Sequence, residues 1–285
     1  MDLIHISGGT YFVPGGTSIG VHIEDNECYL IDTGIDENQI RKVYNYLKEK
    51  GISIAGVINT HSHADHTGGN KFLEKKGVNN FYASKMEGIF INYPILLTSF
   101  MFGSIPPKFM MTKMLMPEAI EKTVINEFPE KFKILDLPGH SWGMVGIVTP
   151  DNVFFCADSI YSEKIVEKHP LLFHIKTDYF LDTMKKIEGM SFDYFVLSHG
   201  GINRNISNIV EKNIGSIEKI ISFILENIPS KYEDLYSKLL EEIKITSEWE
   251  YYLNRIPFNS IITHLSSIGK IRILLKGNNI YLDKV

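Results

Sequence analysis

Hydrophobic and polar residues alternate from Leu3 to Asp32, interrupted at Gly8-Gly9, Pro14-Gly15-Gly16 and Glu24-Asp25-Asn26. A period of two with turn residues at the breaks predicts a series of short antiparallel strands. The last of them, Cys28-Tyr29-Leu30-Ile31, runs into Asp32-Thr33-Gly34. The period then changes: Ile40, Val43, Tyr44 and Leu47 fall at helical spacing, so a helix is expected from Glu37 to Lys50, stopped by Gly51. Ile54 to Asn59 is a short apolar run and reads as a buried strand. The second half repeats the rhythm, with strands at Phe132–Leu137, Met144–Thr149, Val153–Cys156 and Phe192–Leu197 and a helix at Asp178–Glu188. The middle two strands form a hairpin across Pro150-Asp151-Asn152. Beyond His199 the pattern is helical at Ile206–Glu226, Tyr232–Ile243 and Asn259–Ser267, then strand-like at Ile271–Leu275 and Ile280–Leu282, joined through Gly277-Asn278-Asn279. Helices followed by a hairpin make a winged-helix-like ending.

Four polar clusters each follow directly on one of these strands. Rigid strand ends are where proteins of mixed α and β structure hold functional side chains. The densest cluster is Thr60-His61-Ser62-His63-Ala64-Asp65-His66-Thr67-Gly68-Gly69, three imidazoles and a carboxylate within six positions. Charged histidines so close would repel one another, so a cation is expected among them. Alternation puts His61 and His63 on one side of an extended segment, and a turn at Asp65-His66 re-aims the next two. The other strand ends carry His140, Asp158 and His199. Seven ligands exceed the needs of one tetrahedral ion and suit two. One would be held by His61, His63 and His140, the other by Asp65, His66 and His199, with Asp158 bridging. A water between two divalent ions becomes a nucleophile at neutral pH, so the arrangement describes a hydrolase with Asp65 as a proton shuttle.

The successive motifs His-Ser-His-Ala-Asp-His at 61–66, Pro-Gly-His at 138–140, Ala-Asp-Ser at 157–159 and Ser-His-Gly at 198–200 resemble the metal-binding motifs of the metallo-β-lactamase-fold hydrolases. Asp32-Thr33-Gly34 is similar to that family's first motif, whose aspartate supports the metal loop. The resemblance runs from about Ile4 to Gly200. It implies an α+β fold, a four-layer αββα sandwich with the dinuclear site at one edge, carrying here a helical, winged-helix-like C-terminal extension. The expected division is a catalytic domain over residues 1–205, with an apolar insertion at about 86–117, and an extension over 206–285. Asp158 resembles the bridging ligand of the glyoxalase II-like, lactonase and nuclease branches, which argues against antibiotic cleavage. His63 stands where oxygen-reducing diiron relatives carry Glu. An ester, thioester or lactone is the expected substrate class. A phosphodiesterase or small nuclease using the same site, and a mononuclear iron oxidoreductase acting on a sulfur compound, are the alternatives. Tyr161 resembles the tyrosine that steadies an oxyanion in some lactonase relatives, which makes it a catalytic candidate with Asp65 and Asp158.

Composition narrows the picture further. The 285 residues are 44% hydrophobic and 22% charged, ordinary for a globular chain able to build its core without staples. A formal charge of −5 gives no general pull toward nucleic acid. Only two cysteines, Cys28 and Cys156, fit a reducing compartment, and the start Met1-Asp2-Leu3-Ile4-His5-Ile6 lacks signal-peptide character, so a cytoplasmic protein is expected. The apolar run Ile89–Phe102 is broken by Asn92 and Pro94 and is too short to span a bilayer. Met86, Met101, Met110, Met111, Met114 and Met116 crowd one segment with several phenylalanines, which reads either as a flexible lid over an apolar substrate or as packing within the chain or a homodimer. Trp142 is a candidate wall of the site or a plain core residue; His22, His169, His174 and His264 read as structural. The expected cofactors are two divalent metal ions, zinc first, with iron or manganese also suited to imidazole and carboxylate ligands.

Overall fold

The computed structural model describes residues 2–285. Six strands form the first sheet in sequential order: β1 (Ile4–Ser7), β2 (Thr10–Val13), β3 (Ile19–Glu24), β4 (Glu27–Ile31), β5 (Ser53–Ile58) and β6 (Phe81–Tyr82). The first four are antiparallel, and β4, β5 and β6 run parallel. The second sheet contains β7 (Lys133–Asp136), β8 (Val145–Val148), β9 (Val153–Phe155), β10 (Tyr194–Leu197) and β11 (Gly201–Asn203), in the order β11-β10-β9-β8-β7. Only β9 and β10 pair in parallel within it.

Three apolar layers explain the stacking. Ile6, Phe12, Ile31 and Ile58 of the first sheet meet Val145, Ile147, Phe155 and Val196 of the second, so the sheets lie back to back. Helices α1 (Glu37–Glu49), α2 (Ala64–Thr67) and α3 (Asn70–Lys75) follow β4 and β5. On the outer face of the first sheet, Ile40, Val43 and Leu47 of α1 and Phe72 and Leu73 of α3 cover Val21, Leu30 and Val57. Beyond them come α4 (Lys85–Asn92), α5 (Pro94–Phe102), α6 (Glu163–Lys168), α7 (Thr177–Glu188) and α8 (Ser207–Glu226). Phe180, Met184 and Ile187 of α7 and Val210 and Ile217 of α8 cover Phe154, Phe195 and Leu197 on the outer face of the second sheet. The expected αββα sandwich is therefore present. Close approach of the sheets depends on Gly20, where a Cβ would lie 2.5 Å from the Phe155 ring.

After α8 come β12 (Ser230–Lys231), α9 (Tyr232–Glu242), α10 (Glu248–Ser267), β13 (Ile271–Lys276) and β14 (Asn279–Lys284). The hairpin of β13 and β14 takes β12 as a third strand, which gives helix, strand, helix, helix, hairpin in the order of a winged helix. Its core, built on Ile224, Leu235, Tyr236, Leu239, Phe258, Ile261 and Leu282, is separate from the three layers above. Helix α10 begins eleven residues before Asn259, where the sequence pattern starts it. Pro257 sits inside and removes one backbone donor, and the half before it presents no clean apolar stripe. Among the described residues no helix is long and apolar enough to cross a membrane.

Candidate metal centre

All four polar clusters converge at one edge of the sandwich, where they follow β5, β7, β9 and β10. The sheets are joined there by Val145 N donating to Thr60 O (3.0 Å) and Ser18 N donating to Ser198 O (2.8 Å). His61, His63 and His140 bring one ring nitrogen each within 4.8 Å of the others, and Asp65, His66, Asp158 and His199 do the same with one atom each. These are the two groups expected from the sequence. Asp158 lies between them: Oδ1 is 3.3 Å from His66 Nε2, while Oδ2 is 3.4 Å from His199 Nε2 and 3.8 Å from His140 Nε2.

Each turn that delivers a ligand has a local cause. Asp32 takes left-handed φ of 59° at the end of β4 and is buried, and its carboxylate accepts from Thr60 N (2.8 Å), Thr60 Oγ1 (2.8 Å) and His66 Nδ1 (2.7 Å). One side chain thus fixes both ends of the histidine loop. Gly139 has φ of 123°, and a Cβ there would sit 2.4 Å from Phe180 N; its carbonyl accepts from Ile175 N and Lys176 N, seating the His140 turn against α7.

The imidazoles are oriented through the nitrogens that face away from the centre, an arrangement common around metal-ligating histidines. His199 Nδ1 donates to Gly16 O (2.6 Å), His140 Nδ1 to Phe173 O (3.1 Å), and His61 Nδ1 lies 3.1 Å from Thr60 Oγ1. The nitrogens that face inward are served unevenly: His140 Nε2 meets His63 Nδ1 at 2.9 Å and His199 Nε2 lies 3.1 Å from Asp65 Oδ2, while others have no partner of good geometry. His61 Nε2, His66 Nε2 and Asp158 Oδ1 are buried with no hydrogen-bond partner. Orphaned buried polar atoms are costly, and these three, divided between the two groups, match residues that would hold cations.

The two groups differ in charge. Burial, then the neighbouring imidazoles, pushes His61 well below the ordinary histidine range and His140 down to about 3, so this group is neutral and ready to ligate. His66 and His199 are also buried, but Asp32, Asp65 and Asp158 outweigh burial at His66, and Asp158 and Asp65 carry His199 up to about 10. Burial of Asp65 and Asp158 is likewise overcome by those histidines, which hold both carboxyls below their usual range. Protons there neutralise carboxylates that a cation would neutralise instead, and metal binding would release them.

Three further residues were not visible in the sequence pattern. Glu87 of α4 has no exposed surface, and its carboxylate accepts from Ser62 N (2.9 Å), Ser62 Oγ (2.6 Å), Ser141 Oγ (2.7 Å) and Gly143 N (2.7 Å). It clamps the His61 loop to the His140 loop. Thr17 Oγ1 donates to Asp65 Oδ2 (2.9 Å). Trp249, from the newly extended half of α10, lines the 210 Å³ pocket over the metal residues together with Leu253, Leu97, Met101 and Met114. The methionine-rich segment therefore reaches the site and packs as well. Tyr161 also lines this pocket, with its hydroxyl 2.9 Å from His140 Nδ1 and 3.3 Å from Phe173 O. His22 is buried on β3 against Thr10 Oγ1 (3.1 Å) and Asp151 (3.4 Å), far from these clusters in the chain, and His174 is buried against Leu172 O.

Comparison with known proteins places this geometry. A hydroxyacylglutathione hydrolase from Shewanella baltica is 28% identical over 141 residues, which is 48% of this chain and 43% of that relative's length. One from Shewanella loihica is 24% identical over 220 residues, 74% of each chain. Among solved structures, a beta-lactamase domain protein from Burkholderia ambifaria matches with a TM-score of 0.73 at 14% identity, covering 100% of this chain and 94% of that one. A metallo-beta-lactamase family protein from Thermus thermophilus matches with a TM-score of 0.71 at 15% identity, covering 97% and 99%. The fold is shared with both along the C-terminal elements as well. The family model of the metallo-beta-lactamase superfamily matches residues 13–199, from β2 to the last histidine of the site, and the chain belongs to that superfamily.

Proposed function

We propose that this protein is a dinuclear metal-dependent hydrolase acting on the carbonyl of an ester, thioester or lactone. The observation that carries the reading is the position of Asp158, with one oxygen toward His66 and the other toward both His140 and His199. His61, His63 and His140 would hold one ion, and Asp65, His66 and His199 the other, with Asp158 shared. Two divalent cations there supply Lewis acidity and lower the pKa of a captured water toward neutrality.

The chain's own groups complete the chemistry. Asp65 is held at Oδ2 by Thr17 and faces the pocket, so its carboxylate can take a proton from the attacking water and pass it to the leaving group. Asp32 keeps His66 turned inward through Nδ1. Tyr161 steadies His140 at its outer nitrogen, so we assign it a positioning role in addition to the oxyanion contact its place in the pocket allows. Leu97, Met114 and Leu115 keep the pocket apolar and limit water around the reacting carbonyl. The hydroxyacylglutathione hydrolases among the relatives favour a thioester.

The test is metal analysis of protein prepared without chelators, beside turnover of thioester, lactone, ester and chromogenic phosphodiester panels. Two equivalents of metal with carbonyl turnover that chelation abolishes is the expected result. Less than one equivalent, and no activity gained with zinc, manganese or iron, overturns it. Turnover confined to the phosphodiester moves the reaction to phosphorus.

A further inference from the structure

Beside the metal pocket lies a larger cleft of about 810 Å³, within the range of small-molecule sites. Met101 is the residue that lines both spaces. The two helices that frame the metal pocket turn other faces to the cleft. Helix α5 sends Leu97 to the metal side and Phe100 and Phe102 to the cleft, while α10 sends Leu253 to the metal side and Tyr252 and Ile256 to the cleft.

Two parts of the cleft's lining differ in chemistry. Phe100, Trp142 and Tyr179 are 44%, 49% and 47% exposed, and the Phe100 and Trp142 rings stand edge to face 5.6 Å apart. Phe102 and Tyr252 continue this surface with ring centroids 4.9 Å apart. So much aromatic surface gathered in one depression is unfavourable to leave wet. The cleft is also lined by Asn259, Thr263 and Ser267, which follow one another at four-residue spacing along α10, all solvent-exposed. The lysine and the arginine of the cleft are already engaged. Lys176 Nζ is 3.3 Å from Asp178 and 3.4 Å from the centre of the Tyr179 ring, and Arg255 pairs with Glu233. With both cations engaged, what remains is an aromatic surface beside uncharged polar side chains of α10, which disfavours a phosphate-rich or multiply carboxylated group and suits a hydrocarbon chain.

We propose that this cleft binds the apolar chain of a medium-length acyl group, lying along the aromatic surface beside the polar side chains of α10, and that Met101 divides it from the metal pocket. An unbranched thioether can swing aside for a chain where a branched side chain could not. The proposal takes its substrate from the hydrolase reading, but chain binding itself needs no metal.

Calorimetry with butanoate and decanoate, on metal-loaded and metal-stripped protein, tests the site. Thioesters of the same two acids test its use. Burying part of six extra methylenes should make decanoate bind at least about tenfold more tightly than butanoate in both forms. Thr263→Trp, which fills the cleft from an exposed helix position, should erase that margin and lower the decanoyl-to-butanoyl ratio of kcat/KM by about tenfold. Met101→Phe should lower the same ratio by narrowing the passage, so the test survives if the tryptophan variant does not fold. Equal binding of the two acids by the wild-type protein, or undiminished decanoate binding by a folded Thr263→Trp, overturns the proposal. Selective decanoate binding with no carbonyl compound hydrolysed at any chain length refutes the hydrolase reading and leaves the cleft standing.

Discussion

Glu87 places a carboxylate with no exposed surface between the His61 loop and the His140 loop and surrounds it with four donors, two backbone N–H groups and two serine hydroxyls. Both oxygens are saturated, so the charge is compensated by geometry and not by a counter-ion. Replacing one oxygen by an amide NH2 would aim a donor at donors. Glu87→Gln should therefore lower unfolding free energy by about 3 kcal/mol in denaturant titration and weaken metal retention on both sides of the clamp. A variant as stable as the wild type would show that the loops hold each other without it. Asp32 works differently, through charge and tautomer. Because asparagine also tolerates the left-handed backbone at this position, Asp32→Asn keeps the turn while turning a donor toward Thr60 or His66. Activity and metal affinity should fall about 10- to 100-fold, with a smaller loss of stability than Glu87→Gln causes. Metal titration of the two variants separates the roles.

At the scale of elements, local pattern was a good guide wherever local contacts decide. Helix α1 starts at Glu37 because Asp36 caps it, with Oδ1 accepting from Asn38 N (2.9 Å) and Gln39 N (3.1 Å). Asp36→Ala should cost about 1 kcal/mol, read as a lower denaturant midpoint with an unchanged slope and unchanged metal content. The strand ends bearing His61, His140, Asp158 and His199 were legible because a short apolar run stops sharply at a polar cluster at each. What escaped the sequence is what distant segments impose. Glu87 looks like one acid among methionines until α4 docks on Ser62 and Ser141. Trp249 belongs to a stretch whose helical pattern is blurred by Pro257 and by partners on two sides. It reaches the metal pocket only because α10 packs against α5 and α7. The oxyanion role expected for Tyr161 came from its resemblance to the tyrosine of some lactonase relatives. Its hydroxyl also meets His140, which is 21 positions away in the chain.

Across the whole molecule, one buried polar relay joins the sandwich to the C-terminal helices. His174 Nδ1 donates to Leu172 O (2.8 Å), Thr177 Oγ1 donates to His174 Nε2 (2.9 Å), and Ser260 Oγ of α10 donates to Thr177 Oγ1 (2.8 Å). Every member is buried, and the His174 ring stacks on Phe180 at 5.1 Å. With Nδ1–H given to Leu172 O, a neutral imidazole accepts at Nε2, which is the sense of the relay described. Burial lowers the His174 pKa to about 4, against the opposing pull of its bond to Leu172 O and with a small further push from His264. An unfolded chain takes up this proton near pH 6.5, while the folded one resists it down to about pH 4. Between those values the unfolded state binds more protons, so stability falls as pH falls and is fully restored above pH 6.5. The loss should be about 2 kcal/mol by pH 5 and about 3 kcal/mol below pH 4. Burial also lowers His140, to about 3, which adds its own loss of stability over this range, so the decisive quantity is the difference between wild type and His174→Gln in urea unfolding at pH 7 and pH 5. Glutamine can span the same two partners without a titrating group. It should start less stable at pH 7 and lose about 2 kcal/mol less on going to pH 5. Parallel losses in the two proteins would place the acid sensitivity at the metal centre alone and leave the relay as a pH-indifferent joint.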